Sequence, residues 1–114
     1  MVQATLQPIP IAALRQRFGW SQETLARVLG VSSRSVERWE SAGRGPSDTD
    51  LLRTLDALEE VATLATEVYG DQVPRFLARP TRALGGRTPT ERLIVGDREA
   101  VLGVLATAAE GAFA

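Results

Sequence analysis

Apolar positions along this chain recur at the spacing of helices rather than strands. Ile11, Leu14 and Phe18 fall on one face of a first helix running from about Ile9, and Gly19 stops it. Ser21 is a natural N-cap for a second helix carrying Leu25, Val28 and Leu29, which Gly30 closes. A third starts at Ser32 or Ser33, with Val36 and Trp39 as its apolar residues. Beyond the turn-rich stretch from Ser41 to Pro46, Ser47 is expected to open a long helix, with Asp50 placed as in a capping box. Its stripe is Leu51, Leu55, Leu58, Ala62, Ala65 and Tyr69, and Gly70 is expected to end it in the left-handed region. Shorter pieces follow: a helical turn from Pro74 holding Phe76 and Leu77, a loop from Leu84 to Arg87, and a helix opened by Thr88-Pro89-Thr90-Glu91. Asp97 caps a last helix lined by Ala100, Val101, Val104, Leu105, Ala108 and Ala109. Gly111 is expected to end that helix, leaving Ala112, Phe113 and Ala114 outside any helix. With no alternating run and no Asn-Gly or Asp-Gly hairpin turn, the fold class is all-α.

The segment from Gln22 to Trp39 is the informative one. Two helices crossing at a sharp angle need a small residue where they touch, which is Ala26. The tight turn between them needs a residue that tolerates positive φ, which is Gly30. Leu25, Leu29, Val31, Val36 and Trp39 fall where such a pair must bury its inner face, and Trp39 reads as core rather than as a stacking platform. This pattern resembles the helix-turn-helix of the phage-repressor-like (Xre) family over residues 10–50, and the resemblance implies a DNA-binding bundle. In that arrangement the second helix of the pair enters the major groove by its N-terminal end. Ser33, Arg34, Glu37 and Arg38 then become the base-reading and phosphate-contacting candidates. An arginine can fork onto guanine, and a glutamate can accept from the cytosine amine. Ser21, Gln22 and the free amides beside them suit a phosphate, and Arg44 is a candidate second backbone contact.

Composition sharpens this. The chain has no cysteine and no histidine, which removes disulfides, thiolate metal sites and the commonest general base. Glu59 and Glu60 point apart on their helix, and Asp97 and Glu99 are helix-start residues, so no catalytic set, metal site or cofactor site is expected. Met1 to Pro8 lacks a signal-peptide layout and no apolar run reaches membrane-spanning length, so a soluble cytoplasmic protein without membrane contact is expected. All 13 basic residues are arginine. Residues 11–50 have a net charge of +1, residues 51–70 of −3 and residues 71–96 of +3. A protomer with a nearly neutral reading unit binds duplex weakly, so a homodimer or larger assembly on repeated half-sites is expected.

Residues 71–114 carry a second pattern: Pro80-Thr81-Arg82-Ala83-Leu84-Gly85-Gly86-Arg87-Thr88-Pro89, then Leu93, Gly96, Val101 and Leu105. It is similar to the toxin-binding domain of Xre/MbcA/ParS-type antitoxins, which follows a helix-turn-helix of this kind. Thr81 departs from the asparagine usual in that family, although it can still cap a helical turn. The resemblance implies a reading domain over residues 8–70 and a small helical toxin-binding domain over residues 71–114. It implies a partner toxin of the RES-domain class that consumes NAD, covered at its active site and met by Arg82, Arg87, Gly111, Ala112, Phe113 and Ala114. It also implies repression of the chain's own operon through double-stranded DNA. Two other readings stay open: a stand-alone repressor whose C-terminal part only dimerises, and an interaction module whose helix-turn-helix has lost DNA.

Overall fold

Helix α1, Ile11–Phe18, starts directly after Pro10, whose φ of −68° suits a helix entry. The computed structural model describes the backbone of residues 10–113 and side chains through residue 111, so an entry at Ile9 and a domain start at residue 8 lie outside the described residues. Gly19 ends α1 at φ 73°, its N–H and that of Trp20 closing on the last carbonyls of the helix. Helices α2, Gln22–Leu29, and α3, Ser33–Ala42, have serine N-caps. The Ser21 oxygen accepts from the Thr24 N–H at 3.1 Å, and the Ser32 oxygen from the Ser35 N–H at 3.2 Å. Helix α3 continues through Ser41 and Ala42, where a loop was expected, because neither residue ends a helix and left-handed Gly43 does.

The long helix α4, Thr49–Tyr69, is capped by Asp48 rather than Ser47: Asp48 Oδ1 accepts from the Leu51 N–H at 3.1 Å. A carboxylate at this position satisfies the orphan amide and also opposes the helix dipole, which a serine hydroxyl does less well. Asp50 therefore sits inside the first turn and closes no capping box. At the far end Gly70 has φ 57° but ψ −127°, outside the left-handed helical region expected of it. That ψ directs the chain through the 3-10 turn Gly70–Gln72 straight into α5, Val73–Ala78, which folds back onto α1 and α4. A second 3-10 turn, Arg82–Leu84, leads to α6, Pro89–Ile94, and then α7, Arg98–Phe113.

Helix α6 has the reciprocal cap its sequence promised. The Thr88 oxygen accepts from the Glu91 N–H at 3.0 Å, and Glu91 Oε1 from the Thr88 N–H at 2.8 Å. Asp97 Oδ1 caps α7 by accepting from the Ala100 N–H at 3.3 Å. Gly111 does not end α7: it lies within the helix at ordinary helical φ, and the helix runs to Phe113. The neighbouring Ala106, Ala108, Ala109 and Ala112 are strong helix formers, and they carry the helix past a single glycine.

The apolar stripes meet in one continuous core. Leu14 and Phe18 of α1, Leu25 of α2, Val36 of α3, Leu58 and Val61 of α4, Leu77 of α5, Leu93 of α6 and Val101 and Leu105 of α7 are all nearly inaccessible. Each such leucine contributes about 1.5–3 kcal/mol by leaving water. Helix α4 lies mainly along α7, and the small Ala62 and Ala65 are buried within its length. No helix among the described residues is long and apolar enough to cross a membrane.

Candidate functional site

Helices α2 and α3 meet where Ala26 is buried, and the turn between them is pinned by the Val31 N–H donating to the Ala26 carbonyl at 2.9 Å. Gly30 takes φ 73°, with open space where a Cβ would stand, so its requirement is conformational and not steric. Ser32 and the first turn of α3 then project from the bundle. Arg34, Glu37 and Arg38 are exposed on one side of the helix, Ser33 is half-buried beside them, and Arg44 is exposed beyond the other end. Among the described residues neither Arg34 nor Arg38 forms an ion pair, with Glu37 or any other acid, so both guanidiniums face solvent unengaged. Trp39 is partly buried against the core, as expected.

The other two DNA-facing candidates are partly committed to the fold. The Ser21 hydroxyl caps α2 and also donates to Thr24 Oγ1 at 3.1 Å, leaving the backbone amides of the first turn as the free donors there. Gln22 Nε2 donates to Glu40 Oε1 at 2.9 Å. That carboxylate receives a forked pair from Arg15, Nε to Oε2 at 2.7 Å and Nη2 to Oε1 at 3.0 Å, while Arg15 Nη1 donates to the Trp20 carbonyl at 3.0 Å. The side chains of Arg15 and Glu40 are only 18% and 11% exposed. The Arg15 hydrogen bond, aided by Gln22, holds the Glu40 carboxyl below its ordinary value, and the same bond raises the Arg15 guanidinium. This network ties α1, the start of α2 and the end of α3 together. Sequence reasoning missed Arg15 and Glu40, which stand 25 positions apart in different helices.

Trp20 was also missed. It is buried, stacked on Phe18 with centroids 4.4 Å apart, and its Nε1 donates to Thr90 Oγ1 at 3.0 Å. The Thr90 hydroxyl donates onward to the Leu77 carbonyl at 3.0 Å. One chain of hydrogen bonds thus runs from the entry of α2 to α6 and α5, joining the helix-turn-helix to the C-terminal segment.

In that segment the Thr81 N–H donates to the Arg87 carbonyl at 3.0 Å, and the Gly86 N–H returns to the Thr81 carbonyl at 3.0 Å, closing a tight loop over buried Leu84. Thr81 stands at the N-cap of the 3-10 turn, yet its side chain makes no cap. Its hydroxyl donates to the Arg79 carbonyl at 3.2 Å instead, and the Leu84 N–H that a cap would take already donates to the Thr81 carbonyl at 2.9 Å. Arg82 and Arg87 are both exposed. Arg87 turns toward Glu91, Nη1 to Oε2 at 3.9 Å, and shares a cavity with Arg27 that Arg82 does not line. Gly111 is exposed on α7; the side chains of Ala112 and Phe113, and Ala114 entire, lie outside the described residues.

With this geometry in hand, known proteins give a consistent picture. The helix-turn-helix family model matches residues 11–62, spanning α1 to the middle of α4. The mycobacterial cidal antitoxin MbcA of Mycobacterium tuberculosis is 28% identical over 98 residues, which cover 86% of this chain and 87% of that protein, and MbcA of Mycobacterium bovis matches equally. A chain in the crystal structure of the M. tuberculosis MbcT–MbcA toxin–antitoxin complex superposes with a TM-score of 0.71 at 29% identity. It covers 100% of this chain and 99% of its own length.

Proposed function

We propose, from the premise that this chain is an Xre-like helix-turn-helix protein similar to MbcA antitoxins along most of its length, that it is the antitoxin of a toxin–antitoxin pair. The observation that carries the reading is the end-to-end match of this all-α chain to a chain of a toxin–antitoxin complex, together with its helix-turn-helix. Its partner is a RES-domain toxin that consumes NAD, and the antitoxin blocks it by covering the active-site cleft. The chemistry belongs to the toxin, and this chain contributes contact surface alone. Arg82, Arg87 and the stretch from Gly111 to Ala114 form the toxin-facing side, with Phe113 toward the pocket that otherwise holds the dinucleotide.

The same protein represses its own operon in the cytoplasm as a dimer or a larger complex with toxin. Ser33, Arg34, Glu37 and Arg38 contact base edges and phosphates, while Arg44 and the amides at Ser21 and Gln22 hold phosphates. The free guanidiniums of Arg34 and Arg38 support this half of the reading, since bidentate contact to guanine needs an arginine not already paired.

Co-expression with the toxin encoded beside it, scored by growth and cellular NAD, tests the first half. Gel shifts on the duplex upstream of its own reading frame test the second. Arg34→Ala with Arg38→Ala is expected to abolish the shift while toxin neutralisation persists, each lost base contact weakening binding by about 1–3 kcal/mol. A double variant that shifts the operator like wild type moves recognition off α3.

A further inference from the structure

An open cavity of about 300 Å³ lies where α6 packs beside α2, lined by Arg27 from α2, Arg87 from the loop ahead of α6, Glu91, Arg92 and Ile94 from α6, and Val95 just past it. Three guanidiniums therefore surround one lining carboxylate, and that carboxylate is engaged. Glu91 Oε1 accepts the Thr88 N–H, and its Oε2 is 3.9 Å from Arg87. Arg92 Nη2 stands 3.8 Å from Asp97, but its Nε is buried and has no hydrogen-bond partner among the described residues. Arg27 forms no ion pair among the described residues and is exposed. The cluster is a surplus of positive charge beside a cavity open to solvent, with the Arg27 guanidinium outside any ion pair among the described residues.

We propose that Arg27, Arg87 and Arg92 form a second phosphate-binding site for the backbone of duplex DNA, through which the C-terminal segment widens the footprint of the helix-turn-helix. The inference rests on the DNA-binding half of the proposed function. In a helix-turn-helix the first helix of the pair crosses the phosphate backbone while the second enters the groove. That first helix is α2, Arg27 is exposed on it, and Arg87, ahead of α6, and Arg92, within α6, line the same cavity. The charge distribution asks for such a site. Residues 11–50 have a net charge of only +1, whereas residues 71–96 have +3, and duplex affinity grows with the phosphates neutralised. Forked guanidinium donors match phosphate oxygens.

The experiment measures binding of the full chain to two duplexes of equal length, the region upstream of its own reading frame and a scrambled sequence, across a salt series. The variants are Arg27→Gln, Arg87→Gln with Arg92→Gln, and Arg87→Lys with Arg92→Lys, each with its thermal melt. Losing one phosphate contact with Arg27→Gln, or two with Arg87→Gln and Arg92→Gln, is expected to lower the slope of log affinity against log salt by roughly 0.9 per contact and to weaken binding by roughly tenfold per contact or less at physiological salt. The loss should fall equally on both duplexes, since phosphate contacts carry no sequence, and the lysine variant should recover the slope. A wild-type slope in the glutamine variants, a slope the lysines do not restore, or a loss confined to capture of the cognate toxin each overturns the assignment. Wild-type protein that binds neither duplex sinks the DNA-binding half of the proposed function itself. Wild type that binds with Arg34-dependent specificity, and variants that match its slope, sinks only this site.

Discussion

At Glu40 three side-chain hydrogen bonds from Arg15 and Gln22 converge on one carboxylate that is 11% exposed. Glu40→Ala leaves a guanidinium and an amide without their acceptor in a partly closed setting, and is expected to cost about 1–3 kcal/mol in chemical denaturation. The folded Glu40 carboxyl is held below its ordinary value, so the unfolded chain binds its proton first as pH falls. Its contribution is therefore complete above about pH 4.3, the unfolded glutamate value, and is lost as pH drops through the folded value. Glu40→Gln should flatten that acid limb in a plot of stability against pH, and a limb as steep as wild type would remove Glu40 from the account. Two glycines differ in a way their sequence context does not reveal. Both Gly19 and Gly30 take φ 73°, but a Cβ on Gly19 would stand 2.6 Å from the Pro74 Cβ, while one on Gly30 meets nothing within 4 Å. Gly30→Ala is expected to cost about 1–2 kcal/mol from backbone conformation alone. Gly19→Ala should cost a further 1–3 kcal/mol, roughly, from displacing α5. Equal melting temperatures for the two variants would contradict this packing.

Among the elements, α7 separates local signal from context. A glycine near a helix end reads as a stop, yet Gly111 has no positive φ and no neighbour within 4 Å of a built Cβ. Gly111→Ala is accordingly expected to stabilise the protein by roughly 0.5 kcal/mol and to raise helicity in circular dichroism. A glycine held in the left-handed region would give the opposite sign. Removing Ala112 to Ala114 is expected to release the toxin while operator binding is retained, read by growth in co-expression and by gel shift. If the shortened protein still protects fully, neutralisation falls to the surface around Arg82 and Arg87.

Taken whole, the molecule has a single core that passes without a break from α1 to α7, with Trp20, Thr90 and the Leu77 carbonyl as a polar tie across it. Residues 1–70 made alone would expose Trp20 and the side of α4 that packs on α7. They are expected to lose cooperative melting, as followed by circular dichroism and near-ultraviolet signal. Trp20→Phe in the full chain leaves Thr90 without its donor and should lower stability by about 1 kcal/mol while leaving the fold intact.

Local chemistry written in the sequence determined the helices and the crossing of α2 on α3. Serine and threonine caps, glycine stops and three-and-four apolar spacing act over a few residues, and each of these was legible at Ser21, Gly30, Ser32 and Thr88. The resemblance to antitoxins of the Xre/MbcA/ParS type was legible for the same reason, since its motifs are contiguous. The cap of α4 at Asp48 and the passage of α7 through Gly111 were misread because neighbouring residues compete for such roles, and the outcome depends on where the chain goes next. Only the tertiary structure decided that Arg15 meets Glu40, that Trp20 meets Thr90, and that Arg87 and Arg92 stand beside Arg27. These pairings join residues far apart in the chain, and packing of the apolar faces, which carries no polar code, is what brings them together.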